Sequence, residues 1–370
     1  AGIVYCASRK KTEQWAEWLN RHGIRALPYH AGLDTETRQA HQARFLNEEG
    51  LIMCATIAFG MGIDKPNVRF VAHVDLPKSI EAYYQETGRA GRDGLPADAW
   101  LIYGLNDLIQ VKKLVGGMGL SNKSQSSQIQ DHHRLESLMG FLEHTNCRRP
   151  TLLGYFAQSH PGNCQNCDNC LTPPKTWDAT EAGQKMLSCI FRTGQRYGAT
   201  HLIDVLQGKL SDRITRLGHD HVSTFGIGRE LDKWQWHTVL RQLLANGYIV
   251  PDAEGHGGLQ LSEKAREILR GETQLTCRVD AIPRPKQAAT QTRTSQQDTP
   301  LWRAFKTWRL GEAQAQGVPP YVIFHDQTLQ AIIDAKPENL EALGQVHGVG
   351  RHKLKRYGDE VLAVLWQTIH

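Results

Sequence analysis

Residues Gln85 to Gly94 read QETGRAGRDG and contain two arginines, Arg89 and Arg92, each preceded by a glycine. An arginine side chain presents a planar fork of donors that matches phosphate oxygens. Spacing of i, i+3 places both forks on one side if the segment starts a helix, and glycine lets backbone approach a ligand closely. The stretch predicts a phosphate-binding site, whereas a charged surface turn is the alternative for an isolated pair of this kind.

The surrounding residues, 1–108, alternate short apolar runs with amphipathic segments, a pattern that predicts an α/β lobe with a parallel sheet covered on both faces. Ser8 has the character of a helix N-cap, and Thr35 and Ser79 open further helical segments. The predicted strands are Gly2–Cys6, Ala26–His30, Leu51–Ala55, Val68–Val74 and Trp100–Tyr103.

Three polar, glycine-containing stretches accompany these strands. Tyr5–Arg9 follows the first strand, Thr56–Asp64 follows the third, and QETGRAGRDG leads into the fifth. Ligands of parallel α/β sheets bind at the carboxyl ends of the strands. We therefore expect all three stretches to lie on one rim of the sheet.

Composition places the chain among globular proteins without a membrane span. The chain has 370 residues, 40% of them hydrophobic, a net charge of +5 and 8 cysteines. No apolar run reaches the roughly 18 residues that cross a bilayer, and the first residues do not form a signal peptide. They resemble a strand cut near its beginning, so we expect a fragment of a longer protein. The scattered cysteines favour a reduced, cytoplasmic protein, and the mild positive charge is compatible with nucleic acid.

Four cysteines are grouped in the predicted helical segment 109–172: Cys147, Cys164, Cys167 and Cys170. A CxxCxxC run with one cysteine upstream can place four thiolates around a tetrahedral Zn²⁺, and a site with four thiolates is structural because no coordination position stays open. An iron–sulfur cluster and free buried cysteines are the alternatives. The nearby histidines are interpreted as solvated or capping residues: His132, His133, His144 and His160.

Residues 173–275 predict a winged helix, a variant of the helix-turn-helix motif, since three helices precede a two-stranded hairpin. The helices are Thr180 to Phe191, Ala199–Leu206 and Trp234 to Asn246, and a further helix, Glu263 to Leu269, follows the hairpin. His256 at the hairpin tip is either a strand-separating wedge or a solvent-exposed turn residue. Four basic residues of this segment are candidate phosphate contacts on the basis of their charge alone: Arg213, Arg216, Arg229 and Lys233.

The last two segments are a polar linker, 276–298, and a small all-helical domain, 299–370. The linker composition predicts a flexible tether. In the helical domain, Gly348-Val349-Gly350 opens a helix whose first turns are basic, which favours phosphate binding over a merely solvated charged face. The basic residues are Arg351, His352, Lys353, Lys355 and Arg356.

The strings ATIAFGMGIDKPNVR (55–69) and LPKSIEAYYQETGRAGRDG (76–94) resemble motifs V and VI of the RecQ family of ATP-dependent DNA helicases, and Tyr5–Lys11 resembles motif IV. The resemblance continues through the later segments, in the order zinc-binding region, winged helix and HRDC domain. It implies that residues 1–108 are the second RecA-like lobe of the motor. The segment VPPYVIF (318–324) is the part most similar to an HRDC domain.

By this resemblance, Arg92 is the arginine finger, Arg89 is a second phosphate-facing arginine and Gln85 senses the nucleotide. Thr56 and Asp64, with Gly62 in the same motif, couple the nucleotide to the DNA track. The implied cofactors are ATP with Mg²⁺ and one structural Zn²⁺. DNA contacts are implied or suggested by charge for Ser8, Arg9, Arg229, Lys233, His256, Tyr321, Lys353 and Arg356.

The function implied is that of a 3′→5′ DNA helicase in recombination and repair, cytoplasmic and associated with the nucleoid. Its partners are DNA junctions, single-stranded DNA and a single-stranded-DNA-binding protein, with no membrane. The alternative is a non-motor DNA-binding protein built on a zinc-stapled winged helix. The sequence contains no GxxxxGK[ST] phosphate loop and no DExH box. We therefore expect the 370-residue chain alone to lack ATPase activity.

Overall fold

The computed structural model describes residues 1–59, 64–115, 125–252, 258–279 and 299–369. These residues fall into two compact units. The first contains Ala1–Asp75, Tyr83–Ile102 and the described part of Gln287–His370, and the second contains Leu76–Ala82 and the described part of Tyr103–Lys286. Within the described ranges, no helix combines the length and the apolar character needed to cross a membrane.

The first unit is built around a five-stranded parallel sheet, which confirms the predicted α/β lobe. The strand order is β2-β3-β1-β4-β5, and Ile3 of β1 lies opposite Met53 of β3 and Val71 of β4, all three fully buried. The strands are β1 Gly2–Tyr5, β2 Ala26–Tyr29, β3 Ile52–Ala55, β4 Phe70–His73 and β5 Asp98–Leu101.

Helices α1 Arg9–Arg21, α2 Thr35–Asn47 and α3 Ile80–Thr87 connect these strands. The predicted N-cap is confirmed, because the Ser8 side chain accepts a hydrogen bond from the Lys11 amide.

The arginine stretch follows the helical segment that Ser79 was predicted to open, but it lies at another edge of the sheet than expected. Helix α3 ends at Thr87, so Arg89 and Arg92 lie just beyond its last turn. The amide of Gly91, at φ +68°, donates to the Val68 carbonyl at 2.9 Å, which attaches the turn to the segment before β4. Because a turn that leads into a parallel strand lies at its amino end, the prediction of a single rim is wrong for the arginine turn, defined here as residues 88–94.

The second unit begins with helices α4 Leu105–Val115, α5 Gln125–Glu143, α6 Arg148–Tyr155 and α7 Asp168–Leu171. Its remaining elements form the predicted winged helix together with a small sheet and a short helix, α10, that the sequence did not indicate. These elements are β6 Thr176–Asp178, α8 Thr180–Arg192, α9 Ala199–Leu206, α10 Asp212–Arg216, α11 Lys233–Ala245, β7 Ile249–Pro251, β8 Leu259–Leu261, α12 Ala265–Leu269 and β9 Thr276–Arg278.

Strand β9 starts where the linker was expected to begin. It pairs antiparallel with β6, and Cys277 opposite Trp177 is fully buried. Strand pairing therefore extends beyond residue 275 through β9. The rest of the predicted linker, residues 280–298, lies outside the described residues.

The C-terminal domain of the first unit is all-helical, with α13 Pro300–Gln316, α14 Pro320–Ile323, α15 Asp326–Ala335, α16 Leu340–Gly344 and α17 Arg351–Ile369. Its core includes Trp302, Phe305, Leu329 and Val361. Helix α15 has His325 at its N-cap position, and the carboxylate of its first residue, Asp326, pairs with Arg309.

Candidate nucleotide, metal and DNA sites

Arg92 lies on the surface of the arginine turn with its guanidinium partly open to solvent. Its Nη1 atom is 2.8 Å from Oδ1 of Asp64, and its Nε donates to the Gly88 carbonyl at 3.3 Å. The side chains of Arg92 and Asp64 are 38% and 82% exposed. An exposed ion pair of this kind contributes little stability, so the guanidinium can exchange Asp64 for a phosphate at small cost.

Arg89 is half-buried and lies beside the hydroxyl of Tyr5. Burial raises the pKa of Tyr5 to about 12, an effect that the positive charge of Arg89 opposes. The Tyr5 hydroxyl donates to the Phe59 carbonyl at 3.0 Å. Gly62 itself lies outside the described residues, and Gln85 is exposed on α3.

A buried pair beneath the arginine turn was not identified from the sequence. His73, the last residue of β4, places its Nε2 atom 2.7 Å from Oε2 of Glu86, and its ring stacks on Tyr5 at 5.3 Å between centroids. The pair holds the last turn of α3, from which the arginine turn departs. A glutamate inside QETGR and a histidine ending an apolar strand were the available signals.

Ser8, Arg9 and Thr56 follow the carboxyl ends of their strands, as predicted. Asp75 organises this edge: it accepts a hydrogen bond from the Ala7 amide at 2.8 Å and pairs with Lys11. The Arg9 side chain packs over Gly32, where an added Cβ would lie 3.0 Å from it. The carboxyl edge therefore presents backbone and basic groups together, apart from Asp64 and Arg92, which lie toward the amino ends.

The cysteine group converges in space. The sulfur atoms of Cys147, Cys164, Cys167 and Cys170 all lie within 4.8 Å of one another. Tetrahedral Zn²⁺ with Zn–S bonds of about 2.3 Å requires sulfur–sulfur separations of about 3.8 Å, and Cys164 and Cys170 are 4.0 Å apart. The residues present fit a closed structural zinc site. No histidine or carboxylate joins the cluster among the residues that the structure describes.

Side chains around the cysteines fasten the knuckle, defined as residues 164–171, to neighbouring elements. Arg148 forms a two-point ion pair with Asp168, at 2.5 and 2.7 Å, and donates to the Phe141 carbonyl at the end of α5. Asn169 is buried and donates to the carbonyls of His144 and Asn146 at 2.7 and 2.6 Å. These contacts orient α7, which carries the last cysteine.

The winged helix carries its candidate phosphate contacts on exposed positions. Lys233 is the first residue of α11, whose N-cap Asp232 forms a reciprocal capping box with Gln235. Arg229 packs against the turns at Gly208 and Gly226, and Arg213 lies over the ring of Tyr197 at 5.9 Å. Arg216 ends α10, and His256 lies outside the described residues.

The same domain contains a buried histidine pair. Nε2 of His201 lies 2.8 Å from Nδ1 of His219, and the His201 ring stacks on Tyr197. Burial, and then the charges of His219 and Arg213, lower the pKa of His201 to about 4, while Asp204 opposes them. His201 is therefore neutral in the folded domain at neutral pH.

Acidification from pH 7 to pH 5 is expected to destabilise the winged helix. Below about pH 6.5 the histidine of the unfolded chain binds a proton, whereas His201 in the folded domain stays neutral until about pH 4. The contribution of neutral His201 to the free energy of unfolding is therefore complete above about pH 6.5 and is lost as the pH falls toward 4. Between pH 7 and pH 5 the loss is on the order of 2 kcal/mol. Urea unfolding at both pH values measures the loss. His201→Gln should reduce it and exposed His133→Gln should not; equal losses in all three proteins would contradict the assignment.

The C-terminal domain places its DNA-contact candidates near aromatic rings. The ammonium of Lys353 lies 4.9 Å from the centroid of Phe324, and the guanidinium of Arg356 lies 5.3 Å from that of Tyr357. Tyr321 is half-buried and stacks on His325. Gly348 has φ +90°, and a Cβ at this position would lie 2.2 Å from the Thr328 side chain. Backbone conformation and packing therefore explain this glycine without a role in phosphate binding.

Four family models match consecutive parts of the chain. They are the helicase conserved C-terminal domain at residues 1–94, RecQ zinc-binding at 105–171, the RQC domain at 173–286 and the HRDC domain at 298–365. The zinc-binding match covers all four clustered cysteines. The order of domains is the order predicted from the sequence, and the cofactor held by the cysteines is structural zinc.

Among curated relatives, the ATP-dependent DNA helicase RecQ of Haemophilus influenzae is 42% identical over 371 residues, covering 99% of this chain and 59% of the relative. The protein of the same name from Bacillus subtilis is 36% identical and covers 97% of this chain and 58% of the relative. The chain thus spans a little under three-fifths of the length of these relatives.

Proposed function

The chain belongs to the RecQ family, and from this premise we propose that it forms the C-terminal part of an ATP-dependent 3′→5′ DNA helicase that acts in recombination and repair. The observation that carries the proposal is the presence, on one chain, of an exposed arginine turn and three further domains in the RecQ order. The direction of travel and the cellular process follow from the family alone.

We assign Arg92 as the arginine finger. Its fork is exposed and its Asp64 partner is more exposed still, so a transferring phosphoryl group can replace the carboxylate. Arg89 is set deeper and is assigned to hold a phosphate oxygen and the Tyr5 hydroxyl together. Gln85 on α3 is assigned to report nucleotide occupancy. ATP and Mg²⁺ supply the phosphoryl chemistry when they are bound.

Coupling to DNA is assigned to the segment between Thr56 and Asp64. Thr56 lies at the carboxyl edge beside the DNA candidates Ser8 and Arg9, whereas Asp64 contacts Arg92. The two described ends of this segment therefore lie at the proposed DNA track and beside the proposed finger. Tyr5 supports the same route, since its ring lies beside Arg89 and its hydroxyl binds the Phe59 carbonyl.

DNA is the proposed partner of the remaining domains. The winged helix, through Arg229 and Lys233, is assigned to duplex DNA. The C-terminal domain, through Tyr321, Lys353 and Arg356, is assigned to single-stranded DNA by stacking and phosphate contacts. A single-stranded-DNA-binding protein as partner and association with the nucleoid are proposed from the family resemblance.

The test of the whole assignment compares two proteins. The 370-residue chain alone is expected to bind DNA but to show no DNA-dependent ATP hydrolysis, because its sequence has no phosphate loop to hold the nucleotide. The same chain carried behind an ATP-binding lobe is expected to hydrolyse ATP and unwind a duplex with a 3′ single-stranded tail. Phosphate release and strand displacement are the measurements.

Hydrolysis by the isolated chain would contradict the proposed division of the nucleotide site. DNA binding without any activity in the two-lobe protein would favour the non-motor alternative instead. A 5′-tailed duplex of the same sequence serves as the substrate control for direction.

A further inference from the structure

Arg309, on α13 of the C-terminal domain, is fully buried and joins that domain to the RecA-like lobe. Its Nη1 atom donates to the Phe324 carbonyl at 2.8 Å and lies 2.7 Å from Oδ1 of Asp326. Its Nη2 atom lies 2.5 Å from Oε1 of Glu49, which precedes β3 of the lobe. Burying a guanidinium is costly unless opposite charges lie against it, and Glu49 of the lobe supplies one of the two carboxylates that pair with Arg309.

Lys306, one turn earlier on α13, contacts the second oxygen of the same carboxylate. Its Nζ atom lies 3.0 Å from Oε2 of Glu49. Burial pushes the pKa of Glu49 upward, but the charges of Arg309 and Lys306 outweigh burial and the pKa is lowered. Two cations of the C-terminal domain therefore converge on one carboxylate of the lobe.

The contact continues toward the arginine turn. The side-chain amide of Gln327 lies 3.6 Å from the position that a Cβ would occupy at Gly94. The pKa of the Tyr321 hydroxyl is raised, mainly by burial and to a smaller extent by the negative charge of Asp64. Asp64 is the residue that pairs with Arg92, so the docked domain reaches the surroundings of the proposed finger.

We propose that the surface around Glu49 is a docking site for the C-terminal helical domain, and that docking and single-stranded DNA binding by that domain exclude each other. The second half rests on the proposed function, which assigns Tyr321 to single-stranded DNA. In the docked state Tyr321 is half-buried and near a carboxylate that repels phosphate. DNA therefore binds the undocked domain, and its apparent affinity falls with the docked fraction.

The experiment uses the full 370-residue chain and its Glu49→Lys variant. The change places a cation against Arg309 and Lys306, so the domain should undock and the radius of gyration from small-angle scattering should increase. Affinity for a single-stranded oligothymidylate, measured by fluorescence anisotropy at fixed salt, should rise about tenfold as the docked fraction falls. Adding Lys306→Glu to Glu49→Lys should restore much of the smaller radius.

Glu17→Lys is the matched control, because it makes the same charge change on an exposed residue of α1 that pairs with Arg21 of the same helix. Equal radii for the wild-type, Glu17→Lys and Glu49→Lys chains would overturn docking. A larger radius with unchanged DNA affinity would overturn the exclusion. If Tyr321→Ala in the undocked variant leaves affinity unchanged, the assignment of Tyr321 to DNA fails while the scattering result stands.

Discussion

Replacing Arg92 with alanine is expected to lower DNA-dependent ATP hydrolysis by about 10³–10⁵-fold in a protein that carries this chain behind an ATP-binding lobe. The guanidinium neutralises charge that develops on the transferring phosphoryl group, and alanine leaves that charge unpaired. The loss should appear in kcat and leave the affinity for DNA unchanged, since Arg92 lies away from the carboxyl-edge candidates. Phosphate release at saturating DNA and ATP is the measurement.

The neighbours of Arg92 supply the controls. Arg92→Lys keeps the charge but loses the fork, so most of the defect should remain. Arg21→Ala removes an exposed arginine that pairs with Glu17 on the same lobe and should leave the rate unchanged. Asp64→Asn frees the finger from its resting partner and should alter the rate far less than Arg92→Ala. A rate within a few-fold of wild type for Arg92→Ala would contradict the finger assignment.

Local patterns predicted the elements of the lobe well. Helix α2 begins at Thr35, as predicted, because the Asp34 side chain caps it. The four-cysteine cluster was equally accessible, since three of its ligands come from a single short run. Both features depend on residues close in sequence, where spacing determines geometry.

The edge on which the arginine turn lies was predicted wrongly, because a polar stretch between two parallel strands can lie at either edge of the sheet. A segment that enters a parallel strand must lie at its amino end, and the hydrogen bond from Gly91 to Val68 fixes it there. The support beneath the turn was also missed. His73 and Glu86 occur on different elements, and nothing in the local pattern of either residue indicates the other.

Contacts between segments that are distant in sequence could not be predicted either, because the local pattern of one segment does not indicate its partner. The pairing of β6 with β9 joins two three-residue strands on either side of the winged helix, each too short to show a strand period. The pair formed by Arg309 and Glu49 joins residues of separate domains. A buried arginine inside an amphipathic helix reads as a surface residue until its carboxylate partners are located.

Serine in place of Cys167 is expected to abolish stoichiometric zinc and to unfold the knuckle at residues 164–171. Three remaining thiolates hold the ion far more weakly, and binding free energies of about 10 kcal/mol or more are typical of structural zinc sites. Elemental analysis should fall from one zinc per chain toward none. Cys6→Ala, which removes a buried cysteine of the lobe, is the matched control and should retain zinc; iron with visible absorbance in the wild-type chain would contradict zinc.

The same substitution is expected to weaken duplex DNA binding, although no cysteine lies in the winged helix's candidate contact set. Helix α7 carries Asn169, which holds the carbonyls of His144 and Asn146 just after α5. The end of α5 in turn carries Glu143, which accepts a hydrogen bond from Gln242 and pairs with Arg241 at 3.0 Å, both on α11. Loss of the zinc ion is expected to break the contacts of Asn169 with these carbonyls. Asn169→Ala removes the same contacts but none of the four cysteines, so this variant should retain zinc and still bind duplex DNA more weakly. Unchanged DNA affinity in both variants would show that the knuckle and α11 are independent.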